Sequence, residues 1–237
     1  MSNSTDPDRF HIIDRQIRLW ESRRAAERES PEAPPAPGPW ITVSRESGSS
    51  GGALGALVAS ELGWQVFDRE ILQAVAKEVH VKDQILAHFD EHLRDGFEDY
   101  LRTMAVPEDP GQSVFLREML KVLLAAGRRG RIVLVGRGAN WVLDPAYGLR
   151  VRVVAPLEAR ILAVQERDGV SRADARRRIQ EQDAFRADFV RRVFRQEVDD
   201  PAGYDLVVNT ASLGLPAAAR VVVRALEEKL GTPRSAW

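Results

Sequence analysis

The chain contains no cysteine, which excludes a disulfide framework, cysteine-ligated zinc, iron–sulfur clusters and thiol catalysis, and suits a reducing compartment. It also lacks any apolar run near the roughly 20 residues a membrane helix needs; Ile132 to Val135 is typical of its runs. The amino end shows no basic segment followed by an apolar stretch and a small-residue cleavage site. The expectation is therefore a cytoplasmic protein without a membrane anchor. Neither sign of charge dominates, because 34 Lys plus Arg meet 35 Asp plus Glu, for a net charge of −1. No global field attracts a polyanion, so nucleic acid is not an expected partner and any anionic ligand must be held locally. Lysine is scarce, at Lys77, Lys82, Lys121 and Lys229, and nearly all basic charge is arginine. The histidines His11, His80, His88 and His92 form no metal constellation: His88 and His92 share a helical spacing, but Glu91 is misplaced for a zinc motif. No metal site built from the chain's own residues is expected.

Within these limits the composition is that of a folded protein. Of 237 residues, 44% are apolar and 29% charged, enough for one sizeable domain with an appendage. From Phe10 to about Glu29, the residues Phe10, Ile13, Ile17 and Trp20 recur at helical spacing and mark an amphipathic helix. It is a candidate surface for a second copy or another protein. The stretch Ser30-Pro-Glu-Ala-Pro-Pro-Ala-Pro-Gly-Pro39 cannot be helical and reads as a semi-rigid linker. Residues 1–39 thus form an appended element, and a compact domain occupies 40–237.

In that domain, short β-branched runs alternate with helical patterns. Strands are expected at Ile41–Ser44, Gln65–Phe67, Ile132–Val135, Leu149–Val154 and Asp205–Asn209. Helices are expected at Gly52–Leu62, Arg69–Val79, Lys82 to about Met104, Ser113–Ala126, Leu157–Asp168, Ser171 to about Glu197, and Pro216–Leu230. Such alternation implies an α/β fold with a parallel sheet covered on both faces, its ligands bound at the carboxyl ends of the strands.

The first strand runs into Ser47-Gly-Ser-Ser-Gly-Gly52 and then a helix. Such a loop can aim backbone N–H groups and a helix amino terminus at a phosphate, although glycines there also serve a plain turn. It is no standard Walker A sequence, because Gly51 to Ala53 stand where the lysine and the metal-binding hydroxyl would be.

Seven segments in order carry a resemblance. They are Ile41-Thr-Val-Ser-Arg45, Gly48-Ser-Ser-Gly51, Phe67-Asp-Arg-Glu-Ile71, Val135-Gly-Arg-Gly-Ala-Asn140, Val154-Ala-Pro-Leu-Glu-Ala-Arg160, Asp183-Ala-Phe-Arg-Ala187 and Tyr204-Asp-Leu-Val-Val-Asn-Thr210. From Trp40 to Leu230 the chain resembles the cytidylate kinase-like family, relatives of nucleoside monophosphate kinases with a divergent phosphate loop. The family loop carries Gly-Ser-Gly-Gly-Arg, so Ser50 and Gly52 depart from it. The resemblance implies a P-loop kinase-like three-layer sandwich with a five-stranded parallel sheet and a helical lid at about 169–200. It implies transfer of the ATP γ-phosphoryl group to CMP or a similar nucleotide with Mg2+. The missing loop cations leave open a catalytically weak, regulatory nucleotide-binding module of the same fold.

On this resemblance Ser47, Gly48, Ser49, Ser50, Gly51 and Gly52 bind donor phosphates, while Asp68, Arg137, Asp183 and Arg186 bind the acceptor. Arg45, Arg186 and the lid arginine Arg191 are the candidates for stabilising transferred charge. Several residues have a second reading from the sequence itself. Arg45 also suits a surface ion pair with Glu46 or Glu61, and Arg137 could pin its own loop. Asp68 fits the N-cap of Arg69–Val79, the preferred reading for it. Asp183 and Arg186 share a helix face as any i,i+3 pair does. Ser171, with Asp174 at the third helical position, is a plausible cap for the arginine-rich helix.

Overall fold

The computed structural model describes residues 38–68 and 110–237. The amphipathic helix, most of the proline-rich linker and the helices expected over 69–79 and 82–104 lie outside the described residues. The strands are β1 (Trp40–Arg45), β2 (Gln65–Phe67), β3 (Ile132–Val135), β4 (Gly148–Val154) and β5 (Leu206–Asn209). The helices are α1 (Gly51–Leu62), α2 (Pro110–Arg129), α3 (Ala139–Val142), α4 (Leu157–Asp168), α5 (Arg172–Phe194), α6 (Thr210–Leu213) and α7 (Leu215–Leu230). The five strands form one sheet in the order β2-β3-β1-β4-β5, and each adjacent pair is parallel.

Apolar residues at consecutive strand positions fill both faces of this sheet, because successive side chains point to opposite sides. In β3, Ile132 and Leu134 join a core with Leu120 and Leu123 of α2 and Val190 and Phe194 of α5. Val133 and Val135 join the opposite core with Leu54 and Val58 of α1 and Val222 and Leu226 of α7. Helices therefore cover both faces of the sheet, in the three-layer sandwich that the sequence implies. A third, smaller cluster of Ile161, Val164, Ala175 and Ile179 joins α4 to α5. The arginine-rich helix is thus anchored at one end by its own hairpin core and at the other by the main core. No helix among the described residues is long and apolar enough to cross a membrane.

The strands form within a residue or so of their expected positions, since β-branched runs between turn signals are strong local cues. Ser171 caps α5 by accepting from Asp174 N at 3.1 Å. Two short helices were not foreseen. α3 follows three consecutive left-handed residues, Gly136, Arg137 and Gly138, with φ of 83°, 59° and 69°. α6 is nucleated by the Asn209 side chain, which accepts from Ala211 N at 3.1 Å and Ser212 N at 3.4 Å. Helices this short carry no periodicity for a sequence pattern to reveal.

Asp205, within one of the resemblance segments, has a structural task. Its carboxylate accepts from the Arg150 backbone N at 2.8 Å, the Arg150 guanidinium at 2.9 Å and Lys229 Nζ at 2.6 Å. It thereby ties β4, β5 and α7 together. Burial pushes this carboxyl up, but the hydrogen bonds from Arg150 and Lys229 outweigh burial and hold it at about 2. A depressed pKa adds stability above the unfolded value near 4, and this is lost as pH falls through about 2. Asp205→Asn is expected to lower the unfolding free energy at pH 7 by ~1 kcal/mol, after discounting for solvent screening. Urea titrations should show that deficit shrinking below pH ~4; a deficit independent of pH would mean that the ion pairs are not its source.

Candidate active site

The loop between β1 and α1 lies at the carboxyl ends of the strands, where ligands of open parallel sheets bind. Its shape is fixed from inside. Ser49 is buried; its hydroxyl donates to Glu46 O at 2.9 Å, and its carbonyl accepts from Thr210 Oγ1 at 2.8 Å. Gly48 has φ of 81°, and a Cβ there would lie 2.7 Å from the Arg160 carbonyl of α4. Ser50 is also left-handed, with φ of 59°, although its side chain opposes that conformation by about 1 kcal/mol. No side chain caps α1, so its amino-terminal dipole opens toward the loop.

Gly51 occupies the stretch where a Walker lysine would stand, and a Cβ there would collide with Arg45 Cβ. Gly136, past the end of β3, has the Arg45 guanidinium where its own Cβ would be. The Arg45 side chain therefore runs from the start of α1 across to the Gly136 turn, through space that two glycines leave open. It brings a cation across the carboxyl edge of the sheet, beside the turn that carries Arg137.

Helix α5 closes over the same loop. Asp183 Oδ1 accepts from Ser47 N at 2.7 Å, and the Ser47 hydroxyl donates to the Gln182 side-chain oxygen at 2.7 Å. Arg186 donates to the Arg45 carbonyl at 3.2 Å and to Asp183 Oδ1 at 3.4 Å. From α4, Arg160 Nη1 donates to Asp183 Oδ2 at 2.6 Å and to the Ser47 carbonyl at 3.3 Å. Its Nε lies 3.5 Å from Glu46 Oε2, which in turn accepts from Ala155 N at 3.0 Å. Two carboxylates and two arginines from the loop, α4 and α5 thus interlock at one place.

Among the expected site residues, the structure brings Arg45, Ser47 to Gly52, Asp183 and Arg186 together, with Arg137 on the adjoining turn. Asp68 lies past the end of β2, an edge strand separated from β1 by β3. Arg191, the expected lid arginine, is not brought to the loop in this structure: it is exposed and pairs with Glu197 at 3.0 Å. It also lies roughly 12 Å along α5 from Asp183, eight residues at 1.5 Å each. Arg172, Arg177, Arg178 and Arg192 likewise pair with carboxylates at the surface.

Arg160, Glu46, Gln182 and Thr210 are the residues that sequence reasoning missed. Arg160 and Thr210 end two of the resemblance segments, and that was their available signal. A neighbouring network is also new. Arg152, with 8% of its side chain exposed, donates to Ser44 Oγ at 2.9 Å and pairs with Asp199 at 2.7 Å. Tyr204 donates to Val198 O at 2.8 Å, and burial pushes its hydroxyl above the ordinary tyrosine pKa.

The two helix-start glycines differ sharply in their surroundings, since a Cβ on Gly52 meets nothing within 4 Å. Gly51→Ala should cost ~1–3 kcal/mol of stability through collision with Arg45. Gly52→Ala should be neutral or stabilise by up to ~1 kcal/mol. Equal denaturation midpoints for the two variants would show that Arg45 does not fill the space over Gly51.

Comparison with known proteins places the chain among relatives of one fold. The chain is 28% identical over 187 residues to a cytidylate kinase of Ignicoccus hospitalis, covering 78% of this chain and 98% of that one. It is 25% identical over 188 residues to a cytidylate kinase of Halobacterium salinarum, covering 79% and 88%. A crystal structure of an uncharacterised protein from Eubacterium ventriosum shares the fold, with a TM-score of 0.60 at 19% identity over 78% of this chain and 96% of that one. The model of the cytidylate kinase-like family matches residues 40–212, the span holding the whole sheet, the loop and the α4–α5 pair, and the chain belongs to that family.

Proposed function

We propose that the protein transfers the γ-phosphoryl group of ATP to CMP or a similar nucleoside monophosphate. The observation that carries this reading is the interlock of Ser47, Asp183, Arg160 and Arg186, which puts a phosphate-type loop, a lid helix and arginines in one place. The loop residues Ser47 to Gly52 take the donor phosphates. Arg137, Asp183 and Arg186 take the acceptor, with Asp68 at its outer edge. An acceptor phosphate oxygen attacks the γ-phosphorus as the bond to the β-bridging oxygen breaks. That oxygen is already ionised, so no strong general base is needed; positioning, charge neutralisation by arginine and exclusion of water supply the rate.

The hard oxygen donors Glu46 and Ser47 beside the loop suit Mg2+ carried in on the nucleotide phosphates. Among the described residues no cluster of acids and histidines would hold a metal by itself. The bound ion would neutralise phosphate charge. A second reading, a slow or inactive nucleotide-binding regulator, draws on Gly51 standing in place of a lysine. We further propose that residues 1–39 serve packing or partner binding rather than the active site.

ADP release from ATP and Mg2+ over a panel of monophosphates decides between the two readings. Turnover with CMP or a related nucleotide is expected, whereas ATP binding without ADP release for any acceptor would favour the regulator. Arg137→Ala and Arg186→Ala should each weaken the acceptor by roughly 1.5–3 kcal/mol, the range for a lost charge-assisted contact, with much smaller effects on ATP. Equal losses for both nucleotides would take these arginines out of the acceptor site.

A further inference from the structure

We propose that Arg160 is a donor-phosphate ligand held in reserve by Asp183, whose carboxylate stands in for phosphoryl oxygens in this structure. The proposal rests on the reading above that the loop takes a polyphosphate. Ser47 N is a donor of the kind such loops turn toward phosphate, yet here it serves an internal carboxylate at 2.7 Å. The same carboxylate has Arg160 Nη1 at 2.6 Å on one oxygen and Arg186 Nη1 at 3.4 Å on the other. A backbone N–H and two guanidinium groups converging on one anion is the donor set of a phosphate site.

The neighbouring cations leave this role to Arg160. The loop has no lysine, and the Arg45 side chain is committed to the space between Gly51 and Gly136. Arg160 contacts the loop itself, at the Ser47 carbonyl, 3.3 Å away. Only 12% of its side chain is exposed, so its charge cannot be left without an anion at acceptable cost. Asp183 supplies the nearer anion now, at 2.6 Å, with Glu46 the second at 3.5 Å. A polyphosphate entering the loop would meet the Asp183 carboxylate at close range, and one N–H cannot serve both. The incoming phosphate takes over Ser47 N and Arg160, and Asp183 is released together with the middle of α5. The freed carboxylate and its neighbour Arg186 then become available to the acceptor, so donor binding prepares the second subsite.

The test uses the full chain and inorganic tripolyphosphate, with affinities measured by calorimetry in the absence of nucleotide. Asp183→Asn, close in shape but uncharged, is expected to bind tripolyphosphate about tenfold tighter than the unaltered protein. Arg160→Ala is expected to bind about tenfold weaker, and the double variant should lose the gain. Should the alanine variant not fold, Arg160→Lys, which keeps a cation over the loop, should stay within about threefold of the unaltered protein. Binding by Asp183→Asn that is unchanged, weaker or absent overturns the proposal. A folded Arg160 variant without a cation that binds as well as the unaltered protein overturns it too, as does a folded Arg160→Lys protein that loses binding altogether. Tripolyphosphate binding needs neither acceptor nor turnover. The expected pattern in a protein that releases no ADP would therefore sink the proposed function alone, and turnover without the pattern would sink this proposal alone.

Discussion

The contact between Asp183 and Arg160 is the interaction on which the arrangement of the site depends. Each charge is largely taken from water, with 30% of the Asp183 side chain and 12% of the Arg160 side chain exposed. Desolvation at this level is tolerable only because each charge faces an opposite one and both groups also bond the same loop residue. Asp183 accepts from Ser47 N, and Arg160 donates to the Ser47 carbonyl. The pair therefore grips both ends of a single loop residue. Removing either partner would leave the other with only its longer ion pair, Arg160 with Glu46 at 3.5 Å or Asp183 with Arg186 at 3.4 Å, and would loosen the hold of α4 and α5 on the loop.

This pair can sit there because the sheet separates two kinds of demand. The valine and isoleucine of β1 and β3 seal the cores on both faces. The backbone therefore turns polar only past their carboxyl ends, where every strand of a parallel sheet stops in the same direction. The α4–α5 hairpin has its own small core, so it can shift against the sheet without exposing the main ones. At the other end of α5, Val190, Val193 and Phe194 are built into the main core. A displacement of Asp183 is thus a movement of the middle of a helix whose far end is fixed, and such a movement costs less than undocking the helix.

What could be read from the sequence follows the range of the forces involved. The strands, the glycine-rich loop and the Ser171 cap rest on residues a few positions apart, and they were legible. The joint use of Asp183 and Arg186 was legible through i,i+3 spacing supported by the resemblance. Arg160 was not, because its partners Glu46 and Ser47 are more than a hundred positions away, and its place at the end of a resemblance segment does not indicate them. Asp205 was legible as part of a segment but not as to its task, which depends on Arg150 and Lys229 arriving from two other elements. Arg191 shows the same limit. It belongs to the charge pattern of the helix, but helical rotation and a nearby Glu197 settle where it goes.

The absence of a lysine from the loop looks at first like a loss of function written in the sequence. The structure changes its meaning, because side-chain space and charge are redistributed rather than removed. Gly51 has no side chain, and the room it leaves is crossed by Arg45, whose guanidinium reaches the second glycine opening at Gly136. A lysine in place of Gly51 could not coexist with that path. Arg45, arriving from the strand instead of the helix, puts its cation at the junction of the phosphate loop and the Arg137 turn. A lysine is a compact point charge on a flexible stem, whereas guanidinium is a planar fork that can bridge two oxygens. A loop built this way trades a mobile cation on the helix for a directional one at the Gly136 turn. The same trade explains why glycine is needed at both ends of the path and why the departures at Ser50 and Gly52, which the Arg45 side chain does not cross, could accumulate.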